Sequence, residues 1–180
     1  MSADLYSRDR LQPALIDRLI DDAPQDRQEA PETKAISRSR LREIVLRDLS
    51  WLFNATAPLG AVDERRYPQA RHSVLNYGMP CLSGKLASRV ELFDLEQTLR
   101  QAILDFEPRI LPASLAVTGR QPEDELGHHN VLQFEITGEL WAQPYPVELW
   151  LRTDVDFETG MVKVQDGKLS ASALRAPGAT

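Results

Sequence analysis

A single cysteine, Cys81, stands among 180 residues, so no internal disulfide and no cysteine-cluster metal site can form, as expected in a reducing compartment. Long apolar runs are missing too: none approaches the roughly 20 residues that cross a bilayer. The opening stretch MSADLYSRDRLQ lacks the apolar region of a secretory signal, and the expected location is the cytoplasm. Positive charge is scarce: 21 Lys and Arg against 27 Asp and Glu give a formal charge of −6, which argues against a nucleic-acid surface as the main function. The three histidines carry little metal signal, because His128 and His129 have no i, i+4 partner or nearby cysteine and His72 stands alone. Phosphate loop, nucleophile elbow and dinucleotide fingerprint are all absent. The chain is therefore expected to need no cofactor and no metal.

What is present is an ordinary soluble composition, 42% hydrophobic and 27% charged, enough for one domain with a real core. Leu11, Leu15, Ile16, Leu19 and Ile20 form a short helical stripe, with Pro13 tolerated in its first turn. The polar stretch Asp21 to Ile36, broken by two prolines, reads as a flexible linker. A helix of about ten residues on such a leash needs a surface to bury its stripe, supplied either by its own domain or by a partner. A second helix is expected from Ser37 or Ser39 to about Asn54, with Leu41, Ile44, Val45, Leu49, Leu52 and Phe53 on its apolar face. Pro58 and Gly60 end it. A charged loop, Ala61 to His72, leads to the apolar pair Val74-Leu75 and a turn at Tyr77-Gly78-Met79-Pro80.

The most periodic helix carries Leu92, Leu95, Leu99, Ala102, Ile103 and Phe106 on one face, and Ser88 with Glu91 has the spacing of its capping box. It runs into Glu107-Pro108-Arg109. Pro108 has no N–H and biases Glu107 away from helical geometry, so the chain is expected to leave extended, as a strand to about Thr118. Residues two apart then point the same way, which sets the Glu107 carboxylate beside the Arg109 guanidinium. Such a pair is either a surface ion pair of little energetic weight or a rigid corner that offers an arginine fork to a partner's carboxylate.

Beyond a polar loop from Gly119 to Asn130 the period changes to two. Leu132, Phe134, Ile136 and Leu140 alternate with polar residues, Gly138 reads as a bulge, and Val147, Leu149, Leu151, Val155 and Phe157 resume the pattern after Pro144 and Pro146. The two strands are expected to form an antiparallel hairpin, followed by a turn at Glu158-Thr159-Gly160 and a last strand from Met161 to Val164. Trp141 and Trp150 fall on the polar side of the hairpin, where a single exposed tryptophan is more often than not just half-covered by a loop, while two on one face suggest an interface. Asp154, Asp156 and Glu158 could be paired with Glu107 as a glycosidase dyad, but strand and turn carboxylates of this kind are usually surface charges. The fold class is α+β: N-terminal helices and a central helix packed on a small antiparallel, or mixed, sheet. Three regions are expected: residues 1–36 as amphipathic helix and linker, 37–165 as one α+β domain, and 166–180 as a loose tail.

The order of LIDRLIDD at Leu15 to Asp22, RDLSWLFN at Arg47 to Asn54, SVLNYGMPCLSG at Ser73 to Gly84 and the helix ending in EPRI at Glu107 to Ile110 resembles TssE, the small baseplate subunit of bacterial type VI secretion systems. TssE is itself similar to the baseplate-wedge protein of contractile phage tails once labelled a tail lysozyme. The resemblance spans about Leu11 to Val164 and departs at Cys81, where an acidic residue is expected. It implies a structural part in a baseplate docked near the inner membrane, set in a wedge with TssF, TssG and TssK. Its sheet would resemble the strand-exchange domain of the sheath subunits TssB and TssC and template the first sheath ring by strand addition, with Val162 and Val164 on the exposed edge. Glu107, Pro108 and Arg109 would meet the wedge core, and the stripe of Leu15, Ile16, Leu19 and Ile20 a wedge neighbour. Two readings from other classes compete: a peptidoglycan hydrolase, which needs two carboxylates flanking a cleft, and a free-standing peptide-binding module.

Overall fold

The structure, a computed structural model, describes residues 14–19, 25, 36–58, 66–83, 92–120 and 130–167. Among these residues three α-helices, α1 (Leu15–Leu19), α2 (Arg38–Asn54) and α3 (Leu92–Phe106), precede four strands, β1 (Ala116–Arg120), β2 (Val131–Leu140), β3 (Val147–Asp156) and β4 (Val162–Asp166). The expected capping box, Ile20, the His128-His129 pair and the tail from Lys168 lie outside the described residues.

Ser37 starts α2. Its backbone is extended and its hydroxyl accepts the Arg40 N–H at 3.1 Å, which satisfies one of the donors a helix start leaves over. All six residues of the expected apolar face are buried. The helix stops at Asn54, before Pro58 is reached, because the backbone beyond it pairs sideways: the Met79 N–H donates to the Ala55 carbonyl and the Ala57 N–H to the Met79 carbonyl, both at 2.8 Å. Gly78 makes that approach possible. Its φ is +122°, and a Cβ there would lie 2.3 Å from the Ala55 oxygen. Neighbouring Val74 and Leu75 sit in a short 3-10 turn and stay exposed, while Met79 is buried.

The sheet is an antiparallel meander in the order β1-β2-β3-β4. Period two turns Leu132, Phe134, Ile136 and Leu140 of β2 and Leu149, Leu151 and Val155 of β3 to one face of the sheet. They share a single core with Val45 and Leu49 of α2 and with Leu95, Leu99 and Ile103 of α3. This is a two-layer α+β fold. Gly138 is not a bulge: β2 and β3 pair without interruption from Val131–Asp156 to Leu140–Val147. The glycine faces the segment that crosses above it, where a Cβ would meet Ile110 at 3.4 Å and the Leu115 backbone at 3.7 Å. A strand glycine here marks close packing rather than an extra residue.

Both edges of the sheet are met by a side chain from a helix. Asp156 donates its N–H to the Met161 carbonyl, and the antiparallel alternation then turns the amides of Val162 and Val164 away from β3. Asn54, at the end of α2, takes both groups of Val162: its Oδ1 accepts the N–H at 2.9 Å and its Nδ2 donates to the carbonyl at 2.8 Å. At the other edge Glu96 of α3 accepts the Gly119 N–H at 2.7 Å. The Asn54 carboxamide thus stands in for one residue of a neighbouring strand, and Val162 itself is buried. This changes the sequence expectation for Val162, whose backbone is already engaged. Asn54→Ala should lower unfolding stability in urea by about 1–3 kcal/mol, since it leaves a buried donor and acceptor without partners; a midpoint and slope equal to wild type would contradict the assignment.

Candidate functional site

Helix α3 keeps its geometry through Glu107, whose N–H bonds to the Ile103 carbonyl at 2.8 Å. Pro108 then bends the chain into a turn, not directly into a strand, because the Glu107 carbonyl accepts the Ile110 N–H at 3.2 Å and proline fits the second position of such a turn. A second turn joins Leu111 to Ser114, and β1 begins only at Ala116. Between the turns the corner is sewn to the end of β2. Trp141 donates its N–H to the Arg109 carbonyl and Leu111 to the Glu139 carbonyl, each at 2.8 Å, and Ser114 Oγ accepts the Glu139 N–H at the same distance.

Glu107 and Arg109 do lie side by side, but neither surface pair nor open fork describes them. Glu107 is 4% exposed. Arg109 donates Nε to its Oε1 at 2.6 Å and Nη2 to its Oε2 at 2.5 Å, and the Arg109 N–H adds a third contact at 3.2 Å. The same Nη2 reaches Asp48 Oδ2 of α2 at 2.6 Å. Arg109 therefore ties the end of one helix to the middle of the other. The two carboxylates hold its guanidinium charged, well above its ordinary value, against the opposing effect of burial.

The charges continue outward. Asp48 also accepts Arg47 Nε at 2.9 Å and Nη2 at 2.8 Å, and Arg47 gives Nη1 and Nη2 to the two oxygens of Asp17 in α1 at 2.5 and 3.2 Å. Arg47 also lies over the Trp51 ring, 4.7 Å from its centroid. The hydrogen bonds from Arg47 hold the Asp17 carboxyl below its ordinary range, and Arg47 is pushed up in turn, first by Asp17. Tyr77 packs its ring edge-on against Phe106, 5.3 Å between centroids; burial, then the charges of Asp48 and Glu107, raise its phenol above the usual value. A cavity of about 230 Å³ lies among Ile16, Asp48, Trp51, Tyr77, Glu107 and Arg109.

Of the residues expected from sequence at an interface, the structure gathers Glu107, Pro108, Arg109, Ile16 and the backbone of Trp141 at this corner. Leu15 and Leu19 point outward, 71% and 75% exposed. Trp150 is set apart, half-buried with its ring against Gly167. Sequence reasoning does not single out Asp48 and Arg47 as site residues, although a signal exists: Asp48 falls on the Leu41, Val45, Leu52 stripe, where a carboxylate calls for a buried partner. Likewise Glu107 extends the Leu99–Ile103 stripe by four residues. His72 does not stand alone, since its Nδ1 lies 2.9 Å from Asp105 Oδ1.

The family model of the baseplate wedge protein gp25 matches residues 39–145, more than half of the chain. The chain belongs to that family. Comparisons with curated proteins and with solved structures returned no match. The matched span holds α2, α3, the corner, β1 and β2, and stops in the turn before β3. It is a family of structural baseplate proteins. No helix of the described residues is long and apolar enough to cross a membrane.

Because Lys cannot reproduce the planar fork, Arg109→Lys should weaken the tie between Glu107 and Asp48 and lower stability by about 1–3 kcal/mol in denaturant unfolding. An unchanged midpoint would show that the fork has no internal role.

Proposed function

We propose that this wedge-family protein is a non-catalytic baseplate subunit of a type VI secretion machine, similar to TssE, that joins the wedge to the first ring of the contractile sheath. Its wedge partners would be TssF, TssG and TssK, and its sheath partners TssB and TssC. The observation that carries the sheath contact is the β4 edge. Past the position that Asn54 occupies, the amide of Val164 points outward from a four-stranded meander, the geometry on which a strand from another chain can be added.

The wedge contact rests on the corner, where a proline-bent backbone sewn to β2 holds Glu107, Arg109 and Asp48 in one rigid cluster next to exposed Trp141. Support for a non-catalytic role comes from the same cluster. Both oxygens of Glu107 are taken by Arg109, so that carboxylate is not placed to protonate a glycosidic oxygen. Asp156, another candidate acid, is held below its ordinary range by the Thr159 hydroxyl and the Glu158 and Thr159 N–H groups of its own turn.

Val164→Pro isolates the strand-addition claim, because the Val164 N–H points away from β3 and an edge position tolerates the ring. The variant should fold and assemble into wedges while sheath initiation fails. Normal sheath polymerisation on folded Val164→Pro wedges would remove β4 as the template. Val162→Pro is the unsuitable choice, since it deletes the N–H that Asn54 accepts.

A further inference from the structure

The groove at the corner is bordered by the protein's own N-terminal helix. Ile16 of α1 lines it opposite Glu107, Arg109 and Asp48, and the neighbouring Asp17, its side chain 9% exposed, is clamped on Arg47. The described apolar side chains of α1 contribute little to the attachment. Ile16 remains 47% exposed, and Leu15 and Leu19 face outward. A helix of five residues does not persist on its own local bonds. Among the described residues, its hold on the domain rests mainly on one carboxylate.

The seat beneath it is also complete without it. Arg47 shares its guanidinium with Asp48 and stacks on Trp51, so removing Asp17 strands no buried charge. Arg109 and Glu107 satisfy each other and Asp48 with no group from α1. The groove of about 230 Å³ that Ile16 lines together with the corner shows that α1 does not fill the space beside Glu107 and Arg109. Weak attachment over a self-sufficient seat is the arrangement of a removable cover, whereas a core element would leave cavities and orphaned charges on leaving.

We propose that α1 is a strap that covers the Glu107-Pro108-Arg109 corner in the free protein, latched by Asp17 on Arg47, and that it lifts when a partner takes the corner. The partner that displaces it brings the two groups that α1 supplies, a carboxylate for Arg47 and an apolar side chain for the cavity. This rests on the reading of the corner as a contact surface, but the latch can be tested without any partner.

The test is methyl NMR of the full chain, reading the Ile16 δ1 methyl: Trp51, Tyr77 and Phe106 line the same groove as Ile16, so its resonance is expected to be shifted while the strap is down. In Asp17→Asn the resonance should move to the position it has in a synthetic peptide spanning Leu11 to Pro24, with the signals of Leu49 and Ile103 in the core unchanged. An Ile16 signal unmoved by Asp17→Asn would overturn the latch, as would a wild-type signal already at the peptide position. Wedge binding is then compared: Asp17→Asn should bind about threefold to tenfold more tightly, because self-competition is gone. Equal affinity with the strap shown open overturns its role as a cover. Absence of binding by both proteins, with the NMR result as expected, overturns the contact-surface reading and leaves the latch standing.

Discussion

A buried carboxylate at the end of a helix needs a cation, and the placement of Arg109 answers that need twice over. Glu107 is carried into the interior by the same stripe that buries Leu99 and Ile103, and left alone it would be a costly unpaired charge. Pro108 turns the chain so that Arg109 comes back over it, and the guanidinium still reaches Asp48. Two consequences follow: the end of α3 is held against the middle of α2, and the segment after the turn is delivered to the end of β2. The pair is a structural clamp first, and any contact with a partner uses a surface the clamp has already shaped.

Much of the fold is legible because burial leaves periodic marks. The six-residue face of α2, the four buried positions of α3 and the alternation in β2 and β3 follow directly from spacing, and the structure buries them as expected. The failures lie where a contact depends on residues far apart in sequence. Asp48 and Arg109 are 61 positions apart and Asn54 and Val162 are 108 apart, so no local pattern joins them. Gly138 shows the same limit. It answers to Ile110 and Leu115 crossing above it, and a bulge and a close approach look alike in one strand. The turn after Pro108 escapes the sequence for a related reason: proline restricts the residue before it, but the hydrogen bond from Ile110 decides where the chain goes next.

The edges of the sheet give the fold its second constraint. Antiparallel meanders expose two rows of amides, and here one side chain from each long helix meets one of them, Asn54 at β4 and Glu96 at β1. At the β4 edge α2 adds a second tie, the ion pair of Arg42 with Asp166 at 2.9 Å. The family match covers the clamp, the two helices and the first two strands, and ends before β3. The clamp, Asn54 and the β1 edge therefore lie inside the matched span, whereas β4 lies beyond it.

The central claim is that Arg109 couples the corner to α2 through Asp48, and a double-mutant cycle measures it most directly. Unfolding free energies of wild type, Asp48→Asn, Arg109→Gln and the double variant give the coupling between the two side chains with other losses cancelled. The expected coupling is about 1–3 kcal/mol, in the range of neighbours that share a hydrogen-bond and ion-pair network. Additive losses, with a coupling within a few tenths of a kcal/mol of zero, would mean that the two side chains meet without holding the helices together.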